Sequence, residues 1–251
     1  MYTLVGFYES IDGAGAFHKI AGIPDQHVTV QGDDVRIPRG MTKIIGQAAL
    51  SAADTSFTSA RIETPTLRRI INIDVGVLLN NVLFSNPPES MHHPLSPTPL
   101  TEDESMNFLI ESDATAAKVE YGLVWLSDGV QSPVQGDMYT VKATGAAALS
   151  AGVWVNTALT FDQVLPVGEY DVVGIRGIST NMIACRLVFI GGTWRPGAPC
   201  VNSASDLDSK YFRYGRMGVL GRFDSTTPPT MDCLGVTDTS QKFYLDLIKV
   251  S

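Results

Sequence analysis

From Gly152 to Gly197 the chain reads GVWVNTALTFDQVLPVGEYDVVGIRGISTNMIACRLVFIGGTWRPG, a series of short runs with a period of two residues, each ended by a turn. Leu159 and Phe161 alternate with Thr160 and Asp162. Leu165-Pro166-Val167-Gly168 follows, where proline presets φ for a turn corner and glycine accepts the positive φ that other residues resist. Tyr170 to Ile175 is rich in β-branched and aromatic residues, and Ile178-Ser179-Thr180-Asn181 supplies the next turn. Cys185, Leu187 and Phe189 fall on one face of a strand, and Arg186, Val188 and Ile190 on the other. Trp194-Arg195-Pro196-Gly197 closes the block. This periodicity predicts three or four strands in an antiparallel meander.

The same pattern extends over the chain. Thr3 to Tyr8 reads as a first strand. His27–Val30 and Val35–Ile37 flank the hairpin signal Gln31-Gly32-Asp33-Asp34. Met41–Ala52 and Thr55–Ile62 read as strands. Leu67–Phe84 admits a helical face, but its β-branched residues and Gly76 favour a strand. Asn86 to Glu104 is a loop whose prolines, Pro87, Pro88, Pro94, Pro97 and Pro99, exclude regular sheet. Met106–Glu111 and Lys118–Leu126 read as a hairpin, Tyr211–Phe223 as a glycine-punctuated strand and Phe243–Val250 as the last strand. About fourteen short strands and no helix beyond two turns place the chain in the all-β class, as an antiparallel β-sandwich. The polar, turn-rich stretch Ser127–Gly136 marks a boundary between two sandwiches, residues 1–130 and 131–251.

Charge narrows the function classes. Charged residues make up 18% of the 251, so much of the surface is neutral and poorly protected against association. That favours a subunit covered by its neighbours, though a secreted domain can have a similar surface. The net charge of −8 argues against direct nucleic-acid binding, which needs a basic patch. Arg186, Arg195, Arg213, Arg216 and Arg222 fall in the last third; carboxylate pairing within or between subunits is their expected role, and a local anion or nucleic-acid site is the sharper alternative. The start MYTLVGFYESIDG has no basic, apolar signal-peptide pattern, and no apolar run is long enough to span a membrane.

Catalytic signatures are missing. The chain contains no G-x-S-x-G elbow, no P-loop Gly-Lys-Ser/Thr, no HExxH and no EF-hand pattern. Glu102-Asp103-Glu104 and Asp206 with Asp208 are carboxylate groups that could be glycosidase residues or calcium ligands, but in polar loops solvated charge is the default. His92 and His93 are adjacent in an extended segment, so they point apart and do not suit one ion. Cys185, Cys200 and Cys233 show no ligand spacing; Cys185 reads as a buried thiol, and a Cys200–Cys233 bridge has no specific support. Trp125, Trp154 and Trp194 lie in or beside strands, where core packing is expected. No catalytic, cofactor-binding or metal-binding residue is assigned.

Four segments together resemble the jelly-roll capsid proteins of tailless icosahedral viruses, above all bacteriophages of the double-jelly-roll lineage. They are VEYGLVWLSDG (Val119–Gly129), LTFDQVLPVGEYDVVGIRG (Leu159–Gly177), CRLVFIGGTWRPG (Cys185–Gly197) and RYGRMGVLGRF (Arg213–Phe223). The resemblance implies two jelly rolls, with one elaborated roll as the alternative. It further implies a non-enzymatic, cofactor-free virion protein that assembles with copies of itself, as trimers or larger capsomers and with other capsid or vertex proteins. The expected location is the virion, after assembly in the host cytoplasm. The rival reading is a trimeric β-sandwich that binds a receptor or glycan, as a fibre head or lectin-like domain does.

Overall fold

Runs that alternate with period two bury one face and solvate the other, and here they fold as strands. The computed structural model describes residues 1–11, 16–51, 59–79, 91–92, 96–111, 118–201 and 217–251. Among them are twenty strands and one helical turn, so the chain is all-β, of the sandwich class. No helix among the described residues is long and apolar enough to cross a membrane. The chain divides into two units, Val5–Gly129 and Met1–Leu4 with Val130–Ser251.

The N-terminal unit is built from β1 (Tyr2–Ile11), whose first three residues belong to the other unit, with β2 (His18–Gly22), β3 (Val30–Gln31), β4 (Asp34–Arg36), β5 (Lys43–Ser51) and β6 (Ser59–Glu63). After the helical turn α1 (Pro65–Arg68) come β7 (Ile73–Leu79), β8 (Met91–His92), β9 (Thr98–Pro99), β10 (Ser105–Glu111) and β11 (Lys118–Ser127). Strand β11 lies between β1 and β5, and β5 is flanked on its other side by β8 and β9. A second path runs β2-β10-β6-β7. The two paths join where β1 meets β2 and where β5 meets β7 in parallel. The core between them holds Phe7, Ile20, Met41, Leu50, Ile62, Phe108, Tyr121 and Trp125. Phe7 and Phe108 are packed with ring centroids 5.3 Å apart.

The C-terminal unit contains β12 (Met138–Gly145), β13 (Val155–Ala158), β14 (Thr160–Phe161), β15 (Glu169–Ile178) and β16 (Met182–Val188). They are followed by β17 (Gly197–Val201), β18 (Gly221–Asp224), β19 (Thr230–Gly235) and β20 (Gln241–Lys249). One path is β12-β20-β15-β18 and the other β13-β19-β16-β17. Strands β15 and β17 join them in parallel. Val172, Ile175, Leu187, Met231, Phe243, Leu245 and Leu247 form the core. The turn before β15 uses Gly168 at φ 147°, and Tyr170 donates its hydroxyl to the Pro166 carbonyl at 2.7 Å.

The two units repeat one pairing order. Count eight principal strands in each, taking β8 and β9 as one interrupted strand along β5 and leaving out β3, β4 and β14. The first then pairs with the eighth, the eighth with the third and the third with the sixth. The second pairs with the seventh, the seventh with the fourth and the fourth with the fifth. The third and fifth touch in parallel in both.

Several expectations are corrected. Met106–Glu111 and Lys118–Leu126 are strands but not a hairpin, since β10 pairs with β6, β2 and β4 while β11 pairs with β5 and β1. The Gly152–Gly197 block is not a meander either. Within it only β16 and β17 are consecutive antiparallel neighbours, because each unit sends successive strands to different paths. Pro99 does enter a sheet, in the two-residue strand β9 opposite Lys43, a peripheral position that tolerates a missing N–H. The strand expected from Leu67 begins only at Ile73. Thr64 caps a helical turn first, accepting from the Leu67 N–H at 3.1 Å with Pro65 behind it. Of Tyr211–Phe223, only Gly221–Phe223 falls in a described strand; residues 211–216 lie outside the described residues.

Candidate functional site

The polar side chains that these strands bury are the places where chemistry could reside. In the N-terminal unit β11 carries Glu120, fully buried although it alternates with Val119 and Tyr121. Its Oε2 meets His18 Nε2 of β2 at 2.8 Å, and its Oε1 has no partner among the described residues. Ser51 stands opposite it in the ladder with β5, its hydroxyl also unpartnered. Glu9 of β1 belongs to the same cluster. Burial raises its pKa, with the charges of Glu120 and Asp33 adding to the rise and His18 opposing it. The cluster brings a carboxylate and an imidazole into contact, with the Ser51 hydroxyl on the facing strand. Periodicity hid it, because a strand with both faces covered gives its polar residues no solvent side to mark them.

In the C-terminal unit Arg186 and Arg195 are buried cations, Arg186 the more deeply. The Arg186 side chain is 1% exposed, with Nε donating to Asp232 at 3.0 Å, Nη1 to the Leu4 carbonyl at 3.1 Å and the guanidinium 4.0 Å from the centre of the Trp154 ring. Leu4 is tied further by its N–H to the Arg195 carbonyl at 2.9 Å, and Arg195 donates its N–H to Thr3 Oγ1 at 3.2 Å. Arg222 forks onto both oxygens of Asp171, at 2.7 and 3.0 Å. Arg186 and Arg222 therefore do pair with carboxylates. Arg195 binds the Gly192 and Trp194 carbonyls, and Arg213 and Arg216 lie outside the described residues.

Cys185, Cys200 and Cys233 are all free and buried, so the Cys200–Cys233 bridge does not form. Cys185 stands opposite Cys233 in the β16–β19 ladder. Gly177 passes so close that an added Cβ would lie 2.7 Å from Cys200 Sγ and 2.8 Å from Cys185 Sγ. Burial pushes the Cys200 and Cys233 thiols well up, the direction opposite to that of a reactive thiolate.

The acidic triplet is a structural staple. Glu102 accepts from the Gly40 N–H at 2.7 Å. Asp103, at φ 64°, accepts from Arg36 and Arg39 at 3.3 and 3.2 Å. Glu104 accepts from the Thr66 N–H at 3.1 Å and its hydroxyl at 2.8 Å. The three carboxylates point to three different partners rather than to one centre. Among the described residues no group of three His, Cys, Asp or Glu side chains is placed to hold a metal ion. Asp206, Asp208, His93 and the side chain of His92 lie outside the described residues. Trp125 is a core residue, whereas Trp154 and Trp194 are half-buried.

The C-terminal unit also carries an apolar groove of about 320 Å³, between β12, β20 and the loop before β15. Tyr139, Val141, Val164, Leu165 and Leu247 line it, and Lys249 stands at its rim. No family model matches the sequence, and no curated protein is significantly similar to it.

Proposed function

We propose that this protein is a structural virion protein, a capsid subunit made of two jelly rolls that assembles with copies of itself into an icosahedral shell. The observation that carries this reading is the repeated pairing order. In each unit the eight principal strands follow first-eighth-third-sixth and second-seventh-fourth-fifth. That order supports a jelly roll in both units, and two rolls in one chain support the double-roll reading over the single elaborated roll.

Three further observations agree. The buried Arg186 is satisfied within the fold, by Asp232 and the Leu4 carbonyl, rather than presented to a substrate. Large apolar side chains stand in solvent on the monomer, among them Ile70, Ile71, Val164, Val167 and Ile190, and a subunit covered by neighbours would bury them. Low charge favours the same association. In this proposal three copies, each with two rolls, make one capsomer with six similar lobes, and closed symmetry extends the contacts into a shell.

Sedimentation velocity with light scattering, across salt and pH, tests the reading. Growth from a small oligomer into particles of megadalton size is expected. A single small oligomer under every condition would contradict it and favour the receptor- or glycan-binding module, for which a glycan array is the direct assay.

A further inference from the structure

Among the described residues strand β12 has one covered edge and one open edge. β20 pairs with it along its whole length, from Met138↔Ile248 to Gly145↔Gln241. On the other edge β14 covers only Ala143 and Thr144, and the Lys142 carbonyl accepts from the Asp162 N–H at 3.0 Å. Backbone groups of successive residues face opposite edges of a strand. The direction of Lys142 therefore sends the N–H and C=O groups of Thr140 and Met138 to the open edge. Among the described residues they meet no partner there.

The apolar groove adjoins this strand. Tyr139 and Val141 of β12, Leu247 of β20 and Val164 with Leu165 of the loop before β15 line the groove. Tyr139 is 60% exposed and Val164 97% exposed, so the rim is apolar and wet. Lys249, the cation at that rim, is exposed and has no carboxylate partner among the described residues. An open strand edge beside an apolar pocket is how sheets take up an extended peptide: main-chain bonds give affinity, and the pocket selects alternate side chains.

We propose that an extended segment of a second copy of this chain adds as a strand along β12, placing an apolar side chain in the groove and a carboxylate on Lys249. Charge favours a copy as the occupant, because the chain carries 26 acidic residues against 18 Lys and Arg and so brings carboxylates in excess to an unpaired cation. The inference rests on the self-assembly reading only in naming a copy as the partner.

Two substitutions in the full chain test it. Met138→Pro blocks strand addition at the first residue of β12, where the N–H faces the open edge and no bond to β20 is lost. Lys249→Glu reverses the rim charge and leaves the backbone alone. Sedimentation equilibrium should show each variant associating at least about tenfold more weakly than the parent, with an unchanged Tm; where Met138→Pro lowers Tm, Lys249→Glu alone is decisive. Hydrogen exchange at the Thr140 amide should slow when the parent associates. Undiminished association of Lys249→Glu, an equally fast Thr140 amide in the associated state, or a parent that stays monomeric at its highest concentration would each overturn the inference. Shells built equally well by both variants would overturn it and leave the capsid reading standing. Small oligomers that both variants dissociate, with no shell from the parent, would sustain it and defeat the capsid reading.

Discussion

Ile45 and Val173 occupy the same place in the two units: each is the unpaired residue of a bulge in the third principal strand, opposite the C-terminal end of the eighth. Trp125 and Leu126 pair with Gly46 and Ile44, which skips Ile45. Leu247 and Asp246 pair with Val172 and Gly174, which skips Val173. Both side chains are buried. A bulge bends its strand and increases local twist, so the repeated bulge curves the two units alike.

Shortening Ile45 to Ala should therefore destabilise the protein by about 2–5 kcal/mol, the range for buried aliphatic truncation. Val173→Ala should cost less, in proportion to its smaller side chain. Urea denaturation followed by tryptophan fluorescence reads both, and a loss within experimental error for both variants would show that these positions are not core.

The buried Arg186 makes a sharper prediction. Removing its carboxylate with Asp232→Ala leaves a desolvated guanidinium and should cost about 3–5 kcal/mol. The double variant Arg186→Met with Asp232→Leu should recover part of that loss, because an apolar pair needs no compensation. A double variant less stable than Asp232→Ala would mean that the contacts of Arg186 with the Leu4 carbonyl and the Trp154 ring outweigh the ion pair.

Glu9 gives the pH dependence. Its folded pKa is raised above the ordinary 4.5, chiefly by burial. Folding thus disfavours the ionised form, and stability declines as pH rises from the unfolded value through the raised folded one. Glu9→Gln should match the parent below about pH 4 and exceed it at pH 7, with the difference opening across that interval. Thermal melts from pH 3.5 to 7.5 measure this, and a variant less stable than the parent at pH 7 would contradict the assignment.

The three thiols should be silent. With Cys185, Cys200 and Cys233 buried and unbridged, a thiol reagent at pH 8 should label none of them in the native state and all three after unfolding. A reducing agent should leave Tm unchanged. Rapid native labelling of any one of them would show that the cluster opens.

Strand positions were legible in the sequence because alternation reports directly which side chains face a core. The turn at Gly32, the long run through Lys43–Ser51 and the closing strand over Gln241–Lys249 all follow from it. Pairing was not legible. Period two says nothing about which strand lies alongside, so β10 and β11 read as a hairpin although they join different paths. The helical turn capped by Thr64 is only four residues long, too short to leave a periodicity of its own beside the β-branched residues after it. Glu120 and Arg186 were hidden for another reason: a strand covered on both faces buries polar residues that alternation assigns to solvent.

Electron microscopy of the purified, assembled protein tests the central claim most directly. The account predicts closed icosahedral shells whose capsomers show six lobes contributed by three copies of the chain. Discrete small oligomers under every assembly condition, with no shell or sheet, would contradict it.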